Sequence, residues 1–516
     1  MGVDVGPAKP QWLPSAGLIV GSLAAVKLVV HLYAGGHYGY FVDELYYLAC
    51  ADHLDWGYVD QPPLIALIAK LVRWLIGDSL PAIRLLPALA GATEVLLTGW
   101  IARELGGGRF AQGFAALTAL VAPGLLAVNG FMSMNSFEPL FWLGCAYVLI
   151  RIIKTGDDKL WLWFGVLAGV GLENKHSMLI FGFALSAGLL LTAQRRLLRS
   201  PWFWTAGFIA FLIFLPNLLW NVQHHFPFLE IQANIRRSGR DVALTPPAFF
   251  AQEIFAMLPL TLPVWLAGLW RYFFTEPGKR FRSLGWAWLL AAGIIVIASP
   301  RIYYLFPAFP VLLAAGSVQL EKWLAPPRWT WARIAYATLV ALLGILLAPL
   351  AIPLLPVETY IRYSKALHLE QPRIENSALG PLPQIFADQF GWDEMAATVA
   401  GVYNRLPARV RAKTAIFGQN YGEAGAIDLF GPKYGLPKAI SGHQNYFLWG
   451  PRGYTGESMI VMDDNQAQLE TLFDYVQKAA RVENPYSMPY RHFDVFYCRG
   501  MKQPLKDLWP KVKNWD

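Results

Sequence analysis

The sequence predicts a polytopic α-helical membrane protein with about eleven transmembrane helices and a C-terminal soluble α/β domain. Three observations carry that reading. Of its 516 residues, 55% are hydrophobic and 15% are charged, against roughly 25% charged in ordinary globular domains. Apolar runs long enough to cross about 30 Å of hydrocarbon recur as far as residue 353. After Leu354 the composition turns polar, and short β-rich runs alternate with helical patterns.

The apolar runs lie near 13–34, 80–102, 110–129, 134–153, 159–173 and 176–194, then near 202–220, 248–270, 284–299, 302–320 and 331–353. The first lacks a basic leader and a small-residue cleavage site, so it reads as a retained span. Lys and Arg cluster after every even-numbered run, at Arg103/Arg109, Arg151/Lys154, Arg195/Arg196, Arg280/Arg282 and Arg328/Arg333. By the positive-inside rule these loops are cytoplasmic. The N-terminus is then inside, while the loop 35–79 and the C-terminal part lie outside. The formal charge of +8 is a topology signal spread over loops, not a nucleic-acid patch. Cys50, Cys145 and Cys498 lack metal-ligand spacing, and a Cys50–Cys498 bridge is one pairing the sequence permits.

The chain divides into a membrane part (1–353), a linker (354–385) and an extracytoplasmic part (386–516). Within the first outside loop, residues 62–77 are too short and too charged to span. Their helical periodicity predicts an interfacial helix with its apolar face down. In the third part, TAIFG (414–418), MIVMDD (459–464) and FDVFYC (493–498) read as strands, while 391–405, 421–434 and 465–481 read as helices.

The polar residues of the membrane part collect at the outside ends of spans. Tyr40–Pro63 carries Asp43, Glu44, Asp52, Asp55 and Asp60. Glu138 lies between the third and fourth runs, Lys175 and His176 between the fifth and sixth, and His224 after the seventh. Arg301, Tyr303 and Tyr304 separate the ninth and tenth. Arg236, Arg237 and Arg240 stand in an outside loop against the charge rule, which suggests an anion there. Singly, each such residue is an ordinary interface anchor or helix cap. Together, carboxylates and cations from separated loops suit one cavity. A carboxylate there can take a proton from an acceptor hydroxyl, and cations can stabilise a departing phosphate. With neither a phosphate-binding glycine loop nor GxGxxG after a strand, the pattern favours a lipid phosphate over a soluble nucleotide.

Over residues 13–350 the sequence resembles the GT-C glycosyltransferases of the dolichyl-phosphate-mannose–protein mannosyltransferase family. The likeness is to its bacterial branch, which includes lipid A aminoarabinose transferases. FVDELYY (41–47), DQPP (60–63), FEP (137–139), LENKHS (172–177) and SPRIYYLFPAFP (299–310) stand in the order of that family's motifs. The resemblance implies an inverting enzyme of the bacterial inner membrane that moves a hexosyl or pentosyl group from polyprenyl phosphate to a lipid, glycan or protein acceptor. It implies Asp43 as general base with Glu44 as support. Lys175, Arg301, Tyr304, Arg236, Arg237 and His224 would hold the donor phosphate, and Asp60, Glu138 and Gln61 would support the site or the acceptor. Asp60 would also be the candidate ligand for a divalent metal. Gln61 stands where the family often has a lysine, and Glu138 where it usually has Asp. Two rival classes remain from the residues alone: a lipid-linked-sugar or small-molecule transporter, and a membrane scaffold with an outside binding domain. Transporters favour repeats and helices interrupted at mid-membrane; here the polar residues lie at one face, which disfavours that reading.

Overall fold

The computed structural model describes residues 15–242, 244–298, 301–369 and 375–516. Six helices among these residues are long and apolar enough to cross a membrane, or up to eight if each of two bent pairs counts as one span. That is fewer than the eleven apolar runs, because several runs fold as short or broken helices. The first run is α1 (Ala16–Ala34). Two non-spanning helices follow, α2 (Val42–Asp52) and α3 (Leu64–Leu75), and then the long α4 (Leu80–Glu104).

The third run breaks into α5 (Arg109–Val121) and α6 (Pro123–Val128), because Pro123 has no amide hydrogen to continue the ladder. The freed carbonyls at the end of α6 find partners on α1. Lys27 Nζ donates to Leu125 O at 2.9 Å, and His31 Nε2 lies 3.0 Å from Leu126 O. After α7 (Met134–Thr155) come α8 (Trp161–Asn174) and α9 (Met178–Leu190), which turns by 115° into a short 3₁₀ segment. Then follow α10 (Pro201–Gln223) and the amphipathic α11 (Pro227–Ser238). The run 248–270 is also not one span. It forms α12 (Pro246–Ala256) and α13 (Leu262–Phe274), in a pair bent by 98° around Pro259. The last membrane helices are Arg282–Ala298, Phe309–Trp323 with two 3₁₀ turns before it, and Thr330–Ala351.

α3 divides its apolar residues between two faces. Ile65, Ala66, Ala69 and Val72 are buried, while Leu67, Leu71, Trp74 and Leu75 are exposed on another face. Arg73 ties the helix to α2 through Asp52 at 2.6 Å and Leu48 O at 3.0 Å.

The C-terminal segment carries a four-stranded sheet in the order β1-β2-β4-β3, with β1 Thr414–Phe417, β2 Ser458–Met462, β3 Phe473–Val482 and β4 Phe493–Met501. β1 and β2 are parallel; the other pairs are antiparallel. The strand β3 corrects the helix read over 465–481, where only Gln466–Leu472 is helical. Its Lys, Gln and Ala residues favour helix locally, but pairing with β4 overrides that weak preference. The linker 354–385 holds a helix, Val357–Ala366, and Tyr360 and Leu382 join a small core with Phe386 and Met488. Its residues 370–374, like Ser299 and Pro300 of the fifth motif, lie outside the described residues. All three cysteines are free and buried, so no Cys50–Cys498 bridge forms.

One buried core joins the C-terminal segment to the loop 35–79. Leu45, Tyr46, Ile65 and Val72 pack together with Trp392, Ile427 and Val495. Glu44 is the polar anchor beside it. Its carboxylate caps α2 by accepting Phe41 N–H at 2.8 Å, and it also accepts Met132 N–H at 2.8 Å and both Arg84 Nε and Nη2 at 3.0 and 2.8 Å. Both side chains of that ion pair are fully desolvated. Glu44→Ala strands the Arg84 charge in the core, at a cost of about 3–5 kcal/mol. Unfolding of the purified protein in detergent should show that loss, and Arg84→Met should show a similar one.

Candidate functional site

The ends of several helices and the C-terminal segment enclose a partly open cavity of about 170 Å³. α2 contributes Asp43 and Tyr47, the following turn Asp60 and Pro62, and the start of α7 Met134 and Asn135. Lys175, His176 and Ser177 come from the α8–α9 junction, Arg240 from the turn after α11, and Arg301, Tyr303 and Tyr304 from the 3₁₀ turn before the Phe309–Trp323 helix. Tyr421, Gln444 and Asp516 close it from the C-terminal segment.

Three side-chain carboxylates line this space without an ion-pair partner among the described residues, Asp43, Asp60 and Asp516, the last accepting from Ser238 Oγ at 3.2 Å. Asp43 Oδ1 accepts a hydrogen bond from Tyr421 Oη at 2.8 Å, and Asp60 Oδ1 accepts one from Tyr46 Oη at 2.9 Å. Burial pushes the Asp43 carboxyl up to about 6; the Tyr421 hydrogen bond opposes it, Asp388 and Glu375 add to it, and Arg240 opposes it. Burial likewise pushes Asp60 up to about 7, with the Asp43 charge adding to the rise and Tyr46 and Arg240 opposing it. Carboxylates so displaced in a cleft mark functional sites more often than structural ones.

The cations sit opposite, each beside a carboxylate. Lys175 Nζ donates to Glu138 Oε2 and Asn135 Oδ1, both at 2.7 Å, and lies 4.3 Å from the centre of the Tyr304 ring. Arg301 is doubly bonded to Asp241, with its Nε at 2.8 Å, and also donates to Tyr303 Oη at 3.2 Å. Burial works against the Arg301 cation, but Tyr303 and Asp241 outweigh it and hold its pKa above the usual arginine value. Arg240 Nε donates to Glu375 Oε1 at 3.0 Å.

Several residues singled out from the sequence stand elsewhere. Glu44 is not a cavity residue; Arg84 and backbone amides occupy its carboxylate. Glu138 is buried behind Lys175, where Ser177 Oγ also donates to it. Gln61 is buried against Cys50, with its amide nitrogen 3.8 Å from the sulfur. His224 stacks on Trp220 with ring centres 4.0 Å apart, away from the cavity. Arg236 and Arg237 are exposed on the last turn of α11, and Arg240 is the arginine of that loop that reaches the site. Helix periodicity turns the first two outward, whereas Gly239, at φ 64°, ends the helix and redirects the chain.

Among the described residues, no group of three or more His, Cys, Asp or Glu is placed to hold a metal ion. A hard divalent cation takes one or two carboxylates and completes its shell with water and phosphate oxygens, and Asp60 is the carboxylate the sequence offers for one.

Residues 60–220 match the family described as dolichyl-phosphate-mannose-protein mannosyltransferase. The crystal structure of ArnT from Cupriavidus metallidurans bound to undecaprenyl phosphate superposes with a TM-score of 0.60 at 14% identity, covering 93% of this chain and 97% of that one. This is a GT-C fold. The archaeal oligosaccharyltransferase AglB from Archaeoglobus fulgidus, in complex with an inhibitory peptide and a dolichol-phosphate, shares the GT-C fold with a TM-score of 0.51 at 11% identity, over 86% of this chain and 69% of that one. The lipid A galacturonosyltransferase RgtD of Rhizobium johnstonii (strain DSM 114642 / LMG 32736 / 3841) is 24% identical over 303 residues. That alignment covers 56% of this chain and 61% of that protein, so the chain spans about three fifths of the curated relative's length. The GT-C resemblance read from the motifs therefore holds. The matched family region begins at Asp60, so Asp43 lies just ahead of it.

The mutual influence of the aspartates is directly measurable. Asp43→Asn removes a negative charge that disfavours ionisation of Asp60. The Asp60 carboxyl should then titrate below its value of about 7, read from the pH dependence of its infrared C=O band. An unchanged titration would mean that the two groups do not share the cavity.

Proposed function

We propose that this chain is a membrane glycosyltransferase which moves a sugar from polyprenyl phosphate to an acceptor hydroxyl on the outer face of a bacterial inner membrane. The observation that carries the reading is one cavity holding two unpaired, raised carboxylates opposite Lys175, Arg240 and Arg301. In support, the relatives are named for lipid A glycosylation or were solved with undecaprenyl or dolichol phosphate. A scaffold has no use for raised carboxylates, and a transporter needs a path through the membrane rather than charge gathered at one end.

In the proposed reaction the acceptor oxygen attacks the anomeric carbon from the face opposite the phosphate, so configuration inverts. The new C–O bond forms as the bond to the phosphate oxygen breaks, and polyprenyl phosphate departs with the electron pair. Asp43 takes the hydroxyl proton, which requires its ionised form. Arg240, Arg301 and Lys175 bind the phosphate and stabilise its growing charge; Tyr303 and Tyr304 wall the same subsite. A divalent ion would be held by Asp60 and would offset the charge of the phosphate. The N-terminus lies in the cytoplasm and the sheet-bearing segment outside, following the basic loops.

The test uses purified protein in liposomes and a panel of undecaprenyl-phosphate-linked hexoses, uronates and pentoses, with release of undecaprenyl phosphate as readout. Asp43→Asn keeps the shape and removes the base, so turnover should fall by roughly 10²–10⁴-fold. Wild-type turnover in a folded Asp43→Asn protein rules this base out. Because Asp43 must be ionised, the rate should fall about tenfold per pH unit below its pKa, along an acid limb near pH 6. Charge-assisted hydrogen bonds contribute about 1.5–3 kcal/mol. Arg240→Ala should therefore weaken undecaprenyl phosphate binding by roughly ten- to a hundredfold, while Arg236→Ala and Arg237→Ala leave it unchanged.

A further inference from the structure

Tyr421 opens the helix Tyr421–Phe430 of the C-terminal segment, yet its hydroxyl reaches Asp43 at 2.8 Å. Its ring is held on both faces. It stacks on Tyr46 with centres 4.7 Å apart and on His443 at 4.8 Å. The Tyr421 amide donates to His443 Nδ1 at 3.1 Å. The middle of the stack thus serves Asp43, and its neighbour Tyr46 serves Asp60.

The helix behind Tyr421 is seated directly on α2, whose first turn carries Asp43. A Cβ at Gly422 would lie 2.5 Å from Val42 Cγ2, and one at Gly425 would lie 3.0 Å from the backbone carbon of Leu45. Only glycine allows this approach, so the hydroxyl and the carboxylate are fixed in one rigid unit. Among the described residues Asp43 Oδ2 accepts no hydrogen bond, so a single oxygen remains for an acceptor.

We propose that Tyr421 is a positioning residue for Asp43, occupying Oδ1 so that Oδ2 meets the acceptor hydroxyl and favouring the ionised carboxylate. This rests on Asp43 as base. The C-terminal segment is then part of the active site and completes it. The other groups facing Asp43 are Asp60 and Tyr47 from the outside loop, Asp388 and Glu375 from the segment after the membrane helices, and Arg240 from beyond α11. His443 behind the tyrosine is neutral near pH 7, since burial lowers it to about 4. Of these, Tyr421 alone donates a hydrogen bond to the carboxylate among the described residues.

The experiment follows the full-length protein in liposomes through pH 5 to 8. It reads the infrared titration of the Asp43 carboxyl and the release of undecaprenyl phosphate from the donor panel. Tyr421→Phe keeps both stacks and removes only the hydroxyl. The carboxyl titration and the acid limb should both move up by about one pH unit, with turnover at pH 6 down about fivefold and unfolding temperature unchanged. 3-Fluorotyrosine at position 421 is a stronger donor in the same packing and should move both the other way. It also serves if the phenylalanine variant does not fold. An unmoved titration in either variant overturns the proposal. Asp43→Asn run alongside separates the two readings. Wild-type turnover there removes the base reading, whereas a dead Asp43→Asn with an unmoved Tyr421→Phe removes only the role of Tyr421.

Discussion

Arg84 holds the outer end of the molecule together. Its guanidinium, buried on α4, reaches the carbonyl of Gly39 at 2.8 Å, both oxygens of Glu44, and the side chain of Gln389 at 3.5 Å. One cation thus joins a membrane helix, the turn after α1, the start of α2 and the segment leading to the sheet. Such a pair is expensive to desolvate and gains little net stability over an apolar substitute. What it adds is registration. With Glu44 clamped at four hydrogen bonds, the neighbouring Asp43 has its backbone fixed and its side chain turned to the cavity, about 100° around the helix.

The charge pattern of the cavity follows from which acids receive partners. Lys175 has Glu138, Arg240 has Glu375, and Arg301 has Asp241. Each cation is thereby kept folded in before any ligand arrives. Asp43 and Asp60 receive only tyrosine hydroxyls. A salt bridge would hold an aspartate well below the usual carboxylate range and make it a poor base. A phenol donates one hydrogen bond without adding a full charge, so burial prevails and the carboxyls rise towards neutrality. The difference between paired and unpaired acids, more than their number, divides this site into a cationic wall and a basic one.

Much of this was legible in the sequence, for identifiable reasons. Membrane helices announce themselves through apolar length, and the acidic loop, the lysine of LENKHS and the arginine of PRIYY stood out because polar groups are costly beside lipid. What failed were matters of direction and break. Arg236 and Arg237 look like Arg240 in a string of letters, and only the turn at Gly239 separates them. Glu44 and Asp43 are adjacent acids whose fates differ by one helical step. Pro123 and Pro259 broke runs whose hydropathy looked continuous, and β3 is a strand because β4 lies beside it. Tyr421 could not be read at all, since nothing local tells that a residue 378 positions away donates to Asp43. Its one trace was the pair Gly422 and Gly425, small residues at a spacing that lets two helices touch.

That contact changes how the C-terminal segment is to be understood. An appended domain has its own core and meets its neighbour through a polar interface. Here the segment has a core of its own, with Phe417, Met459 and Phe496, but a second core runs unbroken from Leu45 and Ile65 in the loop 35–79 to Ile427 and Val495 in the segment with the sheet. α3 contributes to that core with one face, while another face, with Trp74 and Leu75, is exposed. The loop 35–79 is therefore the middle layer of a sandwich, with the membrane helices below and the sheet-bearing segment above. Asp43 and Asp60 sit in that layer because both neighbours are needed to hold it: Arg84 fixes it from below, and Tyr421 with Trp392 covers it from above.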